Sequence, residues 1–107
     1  MDRANIKIES NLEIPLTRIE AFCRKWKIKE FALFGSVLRE DFRSDSDVDV
    51  LVTFEPDGGF TFDSRVDMLD EIAAIFGREV ALVEKDAIRN PFRRHEILTT
   101  KEVVYAA

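Results

Sequence analysis

Residues 31–54 read FALFGSVLREDFRSDSDVDVLVTF, and the last third of that stretch decides the fold. Asp45, Asp47 and Asp49 occupy alternate positions directly ahead of, and running into, a β-branched apolar run that continues to Phe54. Successive side chains of a strand point to opposite faces, so Val48 and Val50 can enter a core while Asp47 and Asp49 project together from the other side. Their Cβ atoms would lie roughly 6.6 to 7 Å apart. Two carboxylates at that spacing suit a hard divalent cation such as Mg²⁺, which takes one or two protein carboxylates and fills its shell with waters and substrate phosphates. An Asp-x-Asp pair alone is a weak signal in a chain with this much aspartate, and a solvated strand end is its plain alternative.

The upstream half strengthens the case. Phe31, Ala32, Leu33 and Phe34 form a short apolar run stopped by Gly35, which predicts a buried strand. Ser36 then leads into a short helical segment over residues 37–40. A strand, a glycine and a helix start together offer backbone N–H groups and a hydroxyl to an anion. A phosphate cradle would thus precede a pair of metal-binding carboxylates.

Working outward, Leu16, Ile19, Phe22, Cys23 and Trp26 recur at three- and four-residue steps, predicting a helix that Pro15 opens and that runs to about Lys27. Residues 48–54 give a second strand, closed by the turn signal Pro56-Asp57-Gly58-Gly59. Phe62, Val66, Leu69, Ile72, Ala73 and Phe76 mark a second long helix ended by Gly77. Residues 80–83 form a third strand. Asn90 and Pro91 resemble a cap and first helical position for a short helix over 91–98, followed by an extended piece over 102–105. No repeat, low-complexity tract or linker interrupts this order, so one α/β (α+β) domain spanning residues 1–107 is expected, a single sheet with helices packed on it. The dozen residues between the first two strands leave open whether they form a hairpin.

Composition narrows the function classes. A chain of 107 residues with 46% hydrophobic content and a net charge of -5 has room for one modest core, and its negative balance argues against gripping nucleic acid. Cys23 is the one cysteine, which excludes an intrachain disulfide and fits a reducing cytoplasm. It is expected in a helix as a small apolar residue. No run approaches the length of a membrane span, and the first ten residues lack an apolar signal core, so no membrane association is expected.

Gly35-Ser36, ten intervening residues and Asp47-x-Asp49 resemble the signature of the DNA polymerase β-like nucleotidyltransferase superfamily. The phrases FGSVLREDF and SDSDVDVLV and the ending EILTTKEVVYA look most like the minimal nucleotidyltransferases, including the MntA antitoxins encoded beside HEPN-domain toxins. The resemblance implies a small mixed sheet flanked by helices, and transfer of AMP from ATP to a tyrosine of a partner toxin, in a hetero-oligomer with it. It further implies that Gly35 and Ser36 hold the triphosphate, that Asp47 and Asp49 bind Mg²⁺, two ions with ATP, and that Arg39 adds a guanidinium near the phosphates. A surface ion pair with Asp41 or Asp45 is the alternative for Arg39. Ser46 caps the approach to the strand or touches the nucleotide.

The family's third acidic residue falls in the strand after the second long helix, where this chain reads Val80-Ala81-Leu82-Val83. Ala81 stands where that aspartate would be. Its absence should reduce transfer far more than ATP binding, and it leaves a nucleotide-binding antitoxin that acts by direct contact as the rival reading. Two origins fit: a natural relative with weakened chemistry, or an alanine introduced for a catalytic aspartate, favoured because the flanking residues match the active pattern. Glu79 and Glu84 are misplaced to substitute and are expected in solvent. His95, with Arg89, Arg93 and Arg94, forms a basic cluster expected to be a solvated helix face. Trp26 and most of the phenylalanines are expected in the core, Phe60 or Phe62 being candidates for a contact loop.

Overall fold

Ahead of the first helix, strands β1 (Asn5–Lys7) and β2 (Glu13–Pro15) pair antiparallel, with Ile6 opposite Ile14. This hairpin was not expected, because three-residue strands are too short to show a period of two. The computed structural model describes residues 5–7, 13–38, 47–58 and 61–107. Ile14 is fully buried and anchors the hairpin on the main core.

Helix α1 (Leu16–Trp26) follows at once, with Pro15 as its N-cap. It buries Ile19, Phe22 and Cys23 and stops where Lys27 adopts φ 57° and donates its N–H to the Cys23 carbonyl. Burial, and then the charge of Glu20, pushes the Cys23 thiol up to about 12, so it stays protonated and packs as a small apolar group. Strand β3 (Ile28–Phe34) leads into a 3₁₀ turn at Gly35–Leu38. The short helix expected at residues 37–40 is thus an earlier, tighter turn, its last two positions lying outside the described residues.

Strand β4 (Val48–Phe54) pairs antiparallel with β3, which answers the open question about their connection. A reciprocal pair of bonds starts α2 (Phe62–Phe76): Ser64 N–H donates to Thr61 Oγ1 at 3.1 Å and Thr61 N–H to Ser64 Oγ at 2.8 Å. Gly77, at φ 70°, ends it. Strand β5 (Val80–Glu84), a 3₁₀ turn at Lys85–Ala87, α3 (Pro91–Thr100) and β6 (Glu102–Ala106) complete the chain. Asn90 Oδ1 accepts from the Phe92 and Arg93 N–H groups at 2.9 and 3.2 Å, as expected of a cap before proline. Helix α3 runs two residues beyond the expected end.

The four-stranded sheet has the order β5-β4-β3-β6, with β4 and β5 parallel and the other pairs antiparallel, a mixed sheet as expected. Helices α1 and α2 cover one face, where Phe31, Leu33, Val48, Val50, Val52, Met68, Ile72 and Leu82 are buried. The ring of Phe22 meets Phe31 edge-on, with centroids 6.3 Å apart. A second cluster of Ala32, Phe34, Leu51, Ile88 and Ile97 fills the other face under α3. Central strands β3 and β4 are therefore buried on both sides, which accounts for their nearly continuous apolar sequence. Phe92 departs from the expected pattern of buried phenylalanines, being 86% exposed.

Candidate active site

Strands β3 and β4 converge where Phe34 pairs with Asp49. Val48 and Val50 are fully buried toward α1 and α2, and Asp49 lies between them on the α3 side of the sheet, half-buried, while Asp47 just ahead of β4 is exposed. The alternation read from the sequence thus places Asp49 on the face opposite Val48 and Val50. Burial, and next the charge of Asp47, raises the Asp49 carboxyl above the ordinary carboxylate value, while Arg93 draws it back down. The two carboxylates are near enough to feel each other, the electrostatic condition a bound divalent cation would relieve.

Gly35 is required at the turn beside them. It holds φ 75°, a conformation costly for any residue with a Cβ. A Cβ there would also collide with Asp49 Oδ2 and lie 3.3 Å from its Cγ. The missing side chain is what lets the Asp49 carboxylate lie against the turn backbone. Only the backbone of Ser36 is described, and Arg39, Asp41, Asp45, Ser46 and Phe60 lie outside the described residues.

Across β4 from Asp49, in the parallel register with β5, stands Ala81. Paired residues on adjacent strands point the same way roughly 4.8 Å apart. An aspartate at this position would therefore place its carboxylate beside that of Asp49. Glu79 precedes β5 and is exposed, and Glu84 ends β5 half-buried, three residues on and so alternating to the other face. Neither reaches the Ala81 position. Among the described residues no group of three or more histidine, cysteine or acidic side chains is placed to hold a metal. The donor set is a pair of carboxylates, which fits a Mg²⁺ that also takes oxygens from a phosphate and water.

A cleft of about 610 Å³ opens over these groups, lined by Phe34, Gly35, Leu38, Asp49 and, from α3, Arg93, Glu96, Ile97 and Thr100. The α3 residues recur at three- and four-residue steps, so one helix face forms the wall. The basic cluster read from the sequence divides here. Arg93 faces the cleft, Arg94 donates to the Lys85 carbonyl at 2.7 Å and pins the helix start, and His95 is exposed. Arg93 is exposed, as expected of a solvated face, and in addition lines the cleft and lowers the Asp49 carboxyl. The 93/97/100 spacing was visible beforehand, but without knowing that α3 folds back over the sheet it pointed to no particular neighbour.

The family model for the nucleotidyltransferase domain matches residues 18–104. The chain belongs to this family. Relatives of this nucleotidyltransferase include a Methanocaldococcus jannaschii protein provisionally named a protein adenylyltransferase, 33% identical over 68% of this chain and 73% of its own length. The protein adenylyltransferase MntA of Thermococcus cleftensis is 30% identical, over 76% and 77% of the two chains. Among solved structures, one described provisionally as a minimal nucleotidyltransferase superposes with a TM-score of 0.65 at 27% identity, covering 82% of this chain and 85% of that one. A toxin–antitoxin crystal structure with AMP-PNP matches the fold with a TM-score of 0.69 at 18% identity, over 86% and 73%.

Proposed function

We propose that this nucleotidyltransferase is an MntA-like antitoxin of the cytoplasm that binds Mg-ATP and transfers AMP to a tyrosine of a HEPN-domain partner, with the chemical step slowed by Ala81. The observation that carries the reading is the setting of Asp49, which lines the cleft with Gly35 against its carboxylate and has Ala81 opposite it on β5. Asp47 and Asp49 would hold the metal. When bound, Mg²⁺ supplies charge neutralisation and polarisation at the α-phosphate. The Gly35-Ser36 turn presents backbone N–H groups to the triphosphate, with Arg39 assigned beside it by its match to the family pattern and Ser46 either capping the approach to the strand or touching the nucleotide. The α3 face bounds one side of the cleft. The attacking tyrosine hydroxyl must lose its proton as its oxygen bonds the α-phosphorus and pyrophosphate leaves. A carboxylate at position 81 would be the natural acceptor for that proton, and alanine cannot take it.

The protein adenylyltransferase relatives support the reaction class, and the toxin–antitoxin neighbours share the fold. The test is Ala81→Asp, given Mg-ATP and a HEPN-domain partner protein. Mass spectrometry should find AMP on a partner tyrosine at a rate about 10² to 10⁴ times that of the unaltered chain, the usual range for one positioned proton acceptor. A folded, ATP-binding Ala81→Asp variant that leaves the partner unmodified would refute the transfer reading. Ala81 itself favours one second reading, an antitoxin that neutralises by binding alone. In that case Asp47→Asn and Asp49→Asn variants would rescue growth from the toxin as well as the unaltered chain does.

A further inference from the structure

We infer that the start of α3 is the surface on which the acceptor protein docks, through an acidic segment that receives Phe92 and Arg89. This rests on the acceptor being delivered by another protein, as proposed above. Phe92 is 86% exposed, the most exposed large apolar side chain among the described residues. It occupies the first turn of α3, between the Asn90 cap and Arg93. A single exposed apolar residue is ordinary, but the setting of this one is not. Residues 85–95 carry Lys85, Arg89, Arg93 and Arg94 against Asp86 alone, four cations less one anion, +3 on a chain whose net charge is -5. Arg89, Phe92, Arg93 and His95 are all exposed. An aromatic side chain ringed by arginine is the composition enriched at the buried centre of protein interfaces.

The position adds a second argument. Arg93, next to Phe92 in sequence, lines the same cleft as Asp49, so a partner seated on Phe92 lies against the rim of the site. The turn is also rigid: Asn90 Oδ1 holds two N–H groups of its backbone, and Arg94 ties it to the Lys85 carbonyl. Binding there would cost little ordering of the chain. A net positive segment on a chain of negative total charge would attract an acidic partner segment.

The experiment titrates the purified HEPN-domain protein into the full chain and into Phe92→Ala, Arg89→Glu and the double variant, with melting curves to confirm folding. Each single change should weaken partner affinity at least tenfold and the double more. Affinity for Mg-ATP should stay within twofold, because neither residue lines the cleft. Raising salt from about 50 to about 300 mM should weaken the unaltered complex more than the Arg89→Glu complex. Folded variants that bind the partner within twofold of the unaltered chain overturn the surface and leave the acceptor reading standing. So does a Phe92-dependent dimer in sedimentation, which would assign the face to a second copy. An unaltered chain that binds no HEPN-domain protein refutes the acceptor reading, and this surface with it.

Discussion

Replacing Gly35 with alanine separates two costs that the turn combines. The first is backbone strain, because a residue with a Cβ at φ 75° loses roughly 1 to 2 kcal/mol relative to glycine. The second is the collision between the new Cβ and the Asp49 carboxylate, which also places Asp49 Cγ at 3.3 Å. The carboxylate must rotate away from the turn, and with it goes the oxygen that would face a metal. Strain alone should lower the melting temperature by about 4 to 8 °C per kcal/mol in a domain of this size. In an Asp49→Ala background the collision disappears but the strain remains, so Gly35→Ala should destabilise by less there. The difference is a coupling of about 0.5 to 3 kcal/mol, the range for residues in contact. Urea denaturation of the four proteins measures that coupling, and fluorescent ATP titrations with Mg²⁺ should show at least a tenfold loss for Gly35→Ala. Equal destabilisation in both backgrounds, together with unaltered Mg-ATP affinity, would refute the close approach of the turn to Asp49.

The remaining predictions concern charge and capping. Burial raises the Asp49 pKa in the folded chain, so the native state holds that proton more tightly than the unfolded state and metal-free stability falls as pH rises from about 3.9 through the raised value. Asp49→Asn should therefore be more stable than the unaltered chain at pH 7 in EDTA and lose that advantage near pH 3, checked by denaturation at both values. Asn90→Ala removes the acceptor for two N–H groups and should cost about 1 kcal/mol in urea denaturation, with a further loss of partner binding if α3 presents the docking surface. Lys101 and Glu30, a partly buried pair joining the start of β6 to β3, should contribute about 1.5 to 3 kcal/mol when Lys101→Met is compared with the unaltered chain.

The elements with strong periodicity were legible in the sequence, and the physical reason is their length. Helix α1 buries Ile19, Phe22 and Cys23 at helical steps, and β4 alternates Val48, Asp49 and Val50 as a strand must. The hairpin of β1 and β2 was not legible, since three residues carry no usable period. Nor was the second core under α3. Leu51 and Phe34 look like members of the same apolar runs as Val50 and Leu33, and only the return of α3 over the sheet shows that they pack on the opposite face. The same return brings Arg93 to the cleft. Its neighbour across the cleft is Asp49, far off in sequence, so no local spacing joins the two.

The burial of β4 on both faces also explains why the carboxylates sit where they do. Along the α3 face of this strand, Asp49 is followed by Leu51, which is 1% exposed, so α3 seals that face from Leu51 onward. Only the first turn-facing position remains open, and there Asp49 is flanked by the Gly35 turn that follows β3 on one side and by Ala81 of β5 on the other. A charge one pair further along β4 would be buried without water and without a counter-ion, at a cost of several kcal/mol. A charge two positions earlier, as at Asp47, keeps its water and binds a cation with less desolvation to strengthen the contact. Asp49 lies at the boundary between these regimes, half-buried and balanced by Arg93. Ala81 shares that boundary, so an aspartate placed there would meet the same partial desolvation and a second like charge beside it. Its carboxyl should therefore be raised further than that of Asp49, toward the range in which a carboxylate can take a proton from the attacking hydroxyl.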